Sequence, residues 1–300
     1  MRPSSGALRT PLLIALLILC AGSKALACPT CTVGDPTLTT MGAEAPYRNR
    51  VRVSAGLSTR GDRVGEPGFD AIELREQRLD LTAAWAATER FVLSLNLPLA
   101  HRRLAYADLS VDQLVTLGDL ELRGRLVLFR DRKFAPKHLL SLLAGLEMPT
   151  APSISKNGQK LPLELQAGSR SWDPLVGLGY DFFASPFSLH LVGTLRVSTP
   201  GMDGYFGGPS GRVQATFQWQ AHERFGVRAG ADMRGDAVTR GPDGKEPDTG
   251  GFIAFATAGF VAALGQDTLL NAMVFLPAIQ AFKGDHREGI AAMLSVTHDF

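Results

Sequence analysis

From Arg50 to the last residue the chain repeats a period of two, in runs of about nine to eleven residues. Val51, Val53, Ala55 and Leu57 alternate with Arg50, Arg52, Ser54 and Gly56. Phe91, Leu93, Leu95, Leu97 and Leu99 alternate with Val92, Ser94, Asn96, Pro98 and Ala100. Val213, Ala215, Phe217 and Trp219 alternate with Arg212, Gln214, Thr216 and Gln218, and the run Phe225 to Met233 repeats the pattern. Successive side chains of a strand point to opposite faces, so each run makes a strand with one apolar and one polar face. Nine to eleven residues is the length of a tilted strand that crosses a bilayer. The segment Phe252 to Ala263 is apolar on both parities, and the alternation assigns it no face.

Between the runs, tight turns alternate with long polar loops. The turns centre on Thr88-Glu89-Arg90, Asp131-Arg132-Lys133, Ala184-Ser185-Pro186, His222-Glu223-Arg224 and Gly265-Gln266-Asp267. The loops fall near 61–70, 103–113, 150–170, 199–211, 235–250 and 283–288. This division yields twelve strand candidates. Short turns at one end and long loops at the other are the mark of an outer-membrane β-barrel. The closing run Ile290 to Phe300 alternates as well, and Phe300 is the terminal aromatic that such barrels carry as an assembly signal. Aromatics gather at the short turns: Trp85 and Phe91, Phe129 and Phe134, Phe182 with Phe183 and Phe187, then Trp219 and Phe225. That is a girdle at headgroup level. A soluble sandwich would also alternate, but its core gives no reason to gather rings at one end of the strands.

The first residues add an export signal. Arg2 and Arg9 precede an apolar run, Pro11 to Cys20, and Ala25-Leu26-Ala27 is a small-x-small cleavage site. Residues 1–27 are read as signal peptide, 28–47 as a periplasmic lead-in and 48–300 as the barrel. Cleavage after Ala27 puts Cys28 first in the mature chain, which leaves lipidation as the alternative to ordinary processing. Cys28 and Cys31 then form Cys-Pro-Thr-Cys. In an oxidising periplasm a local disulfide is the plain reading. A redox-active pair is the sharper one, though no thioredoxin-like βαβ pattern follows. Thr32 stands where a c-type haem motif needs His, and two thiolates make an incomplete metal site.

Composition agrees with this frame. The chain carries 31 Lys+Arg against 29 Asp+Glu, and loss of Arg2, Arg9 and Lys24 with the signal removes the basic excess that nucleic acid would need. Hydrophobic content is 45%, and no long apolar run follows the signal. A helical membrane protein is thereby excluded, whereas a barrel keeps ordinary hydropathy because only alternate residues meet lipid.

The polar parity should face a lumen. It supplies Arg50, Arg52, Arg78, Arg123, Arg125, Arg196, Arg212 and Arg228, with Asp80, Asp119, Glu121, Glu147, Asp232 and His190. Arginine forks pair bidentately with carboxylates and fill a narrow barrel. Read functionally, the same residues make a basic pore lining that favours anions. Pro98, Pro149 and Pro277 each remove a ladder donor, so bulges or strand ends are expected beside them. The six histidines are scattered without ligand spacing, and no nucleophile, base and orienting group stand together in the sequence. Neither an enzyme, a metal nor a cofactor is read here.

Gly145-Leu146-Glu147-Met148-Pro149-Thr150 and Gly168-Ser169-Arg170-Ser171-Trp172-Asp173-Pro174 carry a family resemblance. The first resembles the Pro-Thr-Gly strand end, with Ala151 in place of Gly, and the second the Gly-x-Gly-Ser-Trp-Asp-Pro signature, of outer-membrane transporters of the meta-pathway of phenol degradation. Leu175 to Tyr180, Asn271 to Pro277 with Gln280, and Ala291 to Phe300 resemble that family's later strands. The resemblance implies an outer-membrane channel for hydrophobic or aromatic compounds. Trp172 and Asp173 sit where a long loop re-enters a strand. They either pin the loop 150–170 inward as a constriction, or serve as an outer girdle residue and a turn cap.

The reading is therefore an all-β, antiparallel transmembrane barrel of about twelve strands in the cell outer membrane. Its expected role is passive passage of small solutes, and its expected partners are outer-membrane lipid, the barrel assembly machinery and a small-molecule solute. The alternative is a structural or partner-binding barrel with a plugged lumen, whose Cys28 and Cys31 dock a periplasmic redox or metal protein.

Overall fold

The computed structural model describes residues 49–65, 71–156, 158–160, 165–201, 204–242, 244–245, 249–283 and 285–300. Cys28, Cys31 and the whole of 1–48 lie outside the described residues. Twelve barrel strands follow one another: β1 (Val51–Val64), β2 (Ile72–Ala86), β3 (Phe91–Ala105), β4 (Val111–Leu117 and Leu120–Arg130), β5 (His138–Met148), β6 (Asp173–Ala184), β7 (Phe187–Arg196), β8 (Ser210–His222), β9 (Phe225–Asp236), β10 (Gly251–Ala263), β11 (Thr268–Phe282) and β12 (His286–Glu288 and Ala291–Asp299). Each pairs antiparallel with its neighbours in sequence, and β1 pairs with both β2 and β12. The sheet is closed. Phe300 N donates to Val51 O at 2.8 Å on the closing seam. Closure leaves no edge, which satisfies backbone donors and acceptors in a solvent without water.

Register turns the alternation of each strand into bands around the cylinder. Leu294, Leu57, Leu79, Leu99 and Leu117 are cross-strand partners in one outward row over β12, β1, β2, β3 and β4. Val53, Leu81, Leu95, Val176, Leu191, Phe217, Val227 and Val274 are likewise exposed on the outer wall. A continuous apolar exterior of this kind belongs in lipid, not water. Trp85, Phe129, Phe134, Phe187, Trp219, Phe225 and Phe300 are exposed at the short-turn end.

The structure corrects that girdle at one position. Phe183 pairs with the inward Ser188, and its ring lies 5.6 Å from that of His190. Phe183 therefore faces the interior, because it shares the parity of Asp181, and Phe182 alone of the pair can face out. The turn after β4 is also longer than the sequence implies, spanning 131–137. The strands run farther on the loop side too: β1 reaches Val64 and β3 reaches Ala105. Charged residues on both parities hide those ends from a pattern search.

The three prolines sit where the sheet is interrupted. Pro98 lies opposite the break at Gly118-Asp119 in β4, and its carbonyl accepts from Gly118 N. Pro149 follows the end of β5, and Pro277 lies at a register shift between β10 and β11. Two-residue hairpins, Ser155–Lys156 with Gln159–Lys160 and Arg240–Gly241 with Gly244–Lys245, decorate the long loops.

Candidate functional site in the barrel interior

The inward residues stack in levels. Nearest the short turns, Asp299 on β12 takes Arg50, just before β1, and Arg52 of β1 across the closing seam, at 2.5 Å and 2.6 Å to the Nη2 atoms. Somewhat higher, Asp181 accepts from Arg125 Nη2 at 2.6 Å and from His190 Nδ1 at 2.8 Å. Arg228 donates to Gln218 at 2.8 Å and to Asn271 at 2.7 Å. In the middle, Arg78 and Asn96 both reach Asp80, Arg196 bridges Glu121 and Glu147, Arg123 pairs with Glu121, and Arg212 with Gln214 holds Asp232. At the loop end, Glu76 accepts from Arg60 and Arg102, and Arg234 joins Asp236 to Glu288. Charges forced into a shared interior find partners because an unpaired charge away from water is costly.

Exposure divides this column in two. Arg228 and His190 are each 1% exposed, and Arg52, Ser54, Ser141, Gln218 and Ser295 are also buried. Inward side chains of different strands pack on one another there, and the short-turn half is filled. Higher up, the side chains of Arg212 and Arg78 are 43% and 40% exposed. Solvent reaches these arginines, while Glu76, Asp232, Ile253 and Glu288 in the same half stay buried.

One wall of the interior is apolar. Ile253, Phe255 and Val261 of β10 share the inward parity with Thr257, and Leu269, Met273 and Phe275 of β11 share it with Asn271. Phe255 and Phe275 meet edge to face, with centroids 6.3 Å apart. This settles the faces of the segment whose two parities are both apolar: one parity meets lipid and the other lines the interior. Alternation could not show it, because an apolar inner wall erases the contrast on which the pattern depends.

The loop between β5 and β6 enters the barrel mouth. Asp119, at the break in β4, accepts from Ala151 N at 2.8 Å, Ser169 N at 2.7 Å, Ser169 Oγ at 3.2 Å and Arg170 N at 3.3 Å. Arg102 donates to Gln166 O at 2.5 Å, and Gln166 exchanges two hydrogen bonds with Ile154. A Cβ on Gly168 would stand 2.2 Å from Ala151 Cβ and 2.6 Å from Asp119 Oδ2, so only glycine lets the loop approach this closely. Trp172 is not the pin. It lies exposed on the outer wall, with its backbone N–H donating to Thr199 Oγ1. Asp173 is buried and accepts from Ser171 Oγ at 2.6 Å. The parity of Asp119 is visible in sequence, but its loop partners, 32 to 51 residues away, are not.

Two clusters invite a chemical reading. Ser188 Oγ lies 3.0 Å from His190 Nε2, whose Nδ1 meets Asp181. As the carboxylate of its ion pair with Arg125, Asp181 accepts, so Nδ1 carries the hydrogen and, in the neutral ring, Nε2 accepts from the serine hydroxyl. The order matches a hydrolase triad, but Ser188 is buried, and β7 spends its backbone N–H groups on its two neighbours, leaving no donors for an oxyanion. The row is a satisfied interior network. Separately, Asp62, His286 and Glu288 offer ligand atoms within 4.8 Å of one another, the one such group among the described residues. His286 already meets Asp62 at 2.6 Å, and Arg234 holds Glu288.

No family model matches the chain, and no curated protein matches its sequence. Solved structures share its fold. An outer membrane channel from Pseudomonas putida F1 matches with a TM-score of 0.67 at 14% identity, over 86% of this chain and 98% of the other. The β domain of the Bordetella autotransporter Brka gives a TM-score of 0.52 at 11% identity, over 84% and 100%. The translocator domain of autotransporter NalP from Neisseria meningitidis gives 0.51 at 11% identity, over 88% and 93%. The chain thus folds as an outer-membrane β-barrel. A fold common to channels and autotransporter domains does not choose between their roles, which must be argued from the interior.

Proposed function

We propose that the protein is an outer-membrane channel that admits small solutes from the loop side, with a preference for compounds bearing an apolar or aromatic face. The observation that carries this reading is the apolar inner wall, formed by Phe255, Phe275 and their neighbours on β10 and β11, in a barrel where solvent reaches the inward Arg212 and Arg78. Paired charges face that wall, so the interior offers little net field to select a free anion, and the basic lining expected from parity loses its force. An apolar solute gains by leaving water at such a surface, at about 25 cal/mol per Å² of apolar area covered. The resemblance to phenol-pathway transporters points to the same class of solute.

The filled short-turn half favours a second reading, a barrel sealed to ions. Arg228, His190 and Gln218 close that level. The two readings separate in one experiment. The purified full chain is placed in planar bilayers and in swelling liposomes loaded with a neutral aromatic alcohol or with a sugar of similar size. Small ionic currents with faster entry of the aromatic solute support the channel. Equal exclusion of both solutes and no current sink it and leave the sealed barrel.

A further inference from the structure

The outer wall is not equally apolar all round. At the loop end of β12, β1, β2 and β3, outward positions carry Arg287, Arg63, Arg75 and Arg103. Arg63 and Arg287 are direct cross-strand partners, and so are Arg75 and Arg103. Like charges directly opposite one another in a ladder are destabilising unless an anion offsets them. No ion pair reaches any of the four among the described residues. Arg63 Nε is buried without a hydrogen-bond partner. Glu73, the partner of Arg63 in β2, is the one carboxylate sharing these outward rows among the described residues. Elsewhere the same end of the wall is apolar: Trp172, Val197, Val213, Phe252 and Ile279 are exposed there.

Height gives this sector a meaning. A strand rising about 3.4 Å per residue and tilted about 40° climbs roughly 26 Å from Trp85 to Arg75. The apolar band of such barrels is about 25 Å tall. With Trp85 in the girdle at one interface, Arg75 and its neighbours stand at the opposite headgroup level, below the loop tips. Phosphate is the group that a planar guanidinium binds bidentately, and headgroup phosphate is the anion available at that depth.

We propose that Arg63, Arg75, Arg103 and Arg287 form a binding site for the phosphate groups of a phosphorylated glycolipid in the outer leaflet. The site clamps one lipid to the β12–β3 sector and neutralises two like-charged cross-strand pairs. It does not depend on whether the lumen conducts.

The test uses the full chain folded in detergent, with heat-modifiable migration as the check of folding. Bound lipid is counted by native mass spectrometry against bisphosphorylated lipid A, enzymatically dephosphorylated lipid A, phosphatidylglycerol and inorganic phosphate. The wild-type barrel should retain bisphosphorylated lipid A at least about tenfold more tightly than the other three probes, given the strength of charge-assisted phosphate contacts. The combined change Arg63→Gln, Arg75→Gln, Arg103→Gln and Arg287→Gln should abolish that advantage. The milder pair Arg75→Gln with Arg103→Gln should reduce it, which covers the case in which four changes prevent folding. Arg132→Gln with Lys133→Gln, at the opposite end, should leave it intact. Equal retention by the folded Arg75/Arg103 variant overturns the site. So does equal retention of dephosphorylated lipid A, of phosphatidylglycerol or of free phosphate, or no retention by the wild type.

Discussion

Replacing Asp119 by alanine should release the β5–β6 loop from the barrel mouth without unfolding the barrel. Asp119 is 4% exposed, and the two shortest contacts of its carboxylate, to Ser169 N and Ala151 N, are 2.7 Å and 2.8 Å. Hydrogen bonds to a charged group contribute about 1.5–3 kcal/mol each. The two short ones together give roughly 3–6 kcal/mol, and the longer contacts to Ser169 Oγ and Arg170 N add less. Alanine leaves those backbone donors buried and unsatisfied until the loop opens and water reaches them. At about 1.4 kcal/mol per factor of ten, opening becomes roughly a hundredfold to ten-thousandfold more frequent. Arg102 to Gln166 O, Leu120 N to Thr150 Oγ1 and Lys156 to Asp112 then remain as tethers. Hydrogen exchange read at the amides of Ala151 and Ser169 should rise by that factor, while amides of β1 and β12 keep their protection. Asp119→Asn, which keeps one acceptor oxygen, should fall between. Unchanged exchange at Ala151 and Ser169 in a folded Asp119→Ala barrel would refute the assignment of this residue as the pin, and the loop would have to be held by packing alone.

Three other outcomes follow from the same geometry. Leu57→Arg, at mid-height on the outer wall, should cost roughly 2–4 kcal/mol in urea unfolding from lipid, whereas Val197→Arg, outward just past the loop end of β7, should cost about 0–1 kcal/mol; equal costs would mean that this face does not meet lipid. Arg52→Ala strips Asp299 of a buried partner and should destabilise the barrel by about 3–5 kcal/mol, and a double-mutant cycle with Asp299→Ala should show strong coupling, while additive effects would deny the seam pair. In the 131–137 turn, the backbone N–H of His138 does most to hold the Asp131 carboxyl below its usual range; desolvation opposes it, and the N–H of Lys137 adds to the lowering. A depressed folded pKa supports the turn above the ordinary carboxylate pKa and withdraws that support as pH falls through the lowered value. Proteolysis of this turn should therefore speed up only in acid, and Asp131→Ala should be cut readily at every pH.

Part of this protein could be read from one strand at a time. Which side of Val51–Leu57 or Phe225–Met233 meets lipid is a local property, since a strand has only two faces and the residues keep to them. The inward direction of Arg52, Arg78, Arg125, His190, Arg228 and Asp232 follows from the same parity, and the turn and loop rhythm gives the strand number. Two kinds of information were not local. Where both parities are apolar, as in β10, or where a ring stands one residue past its neighbour, as at Phe182 and Phe183, composition carries no contrast, and only pairing with Ser188 or Met273 assigns the face. Partners are set by register between strands and by closure of the cylinder. Asp299 meets Arg52 across 247 positions of sequence, and Asp119 meets a loop that a break in β4 allows it to reach. A period of two states which way a side chain points; the height at which it points, and the group it meets there, exist only once neighbouring strands have locked together.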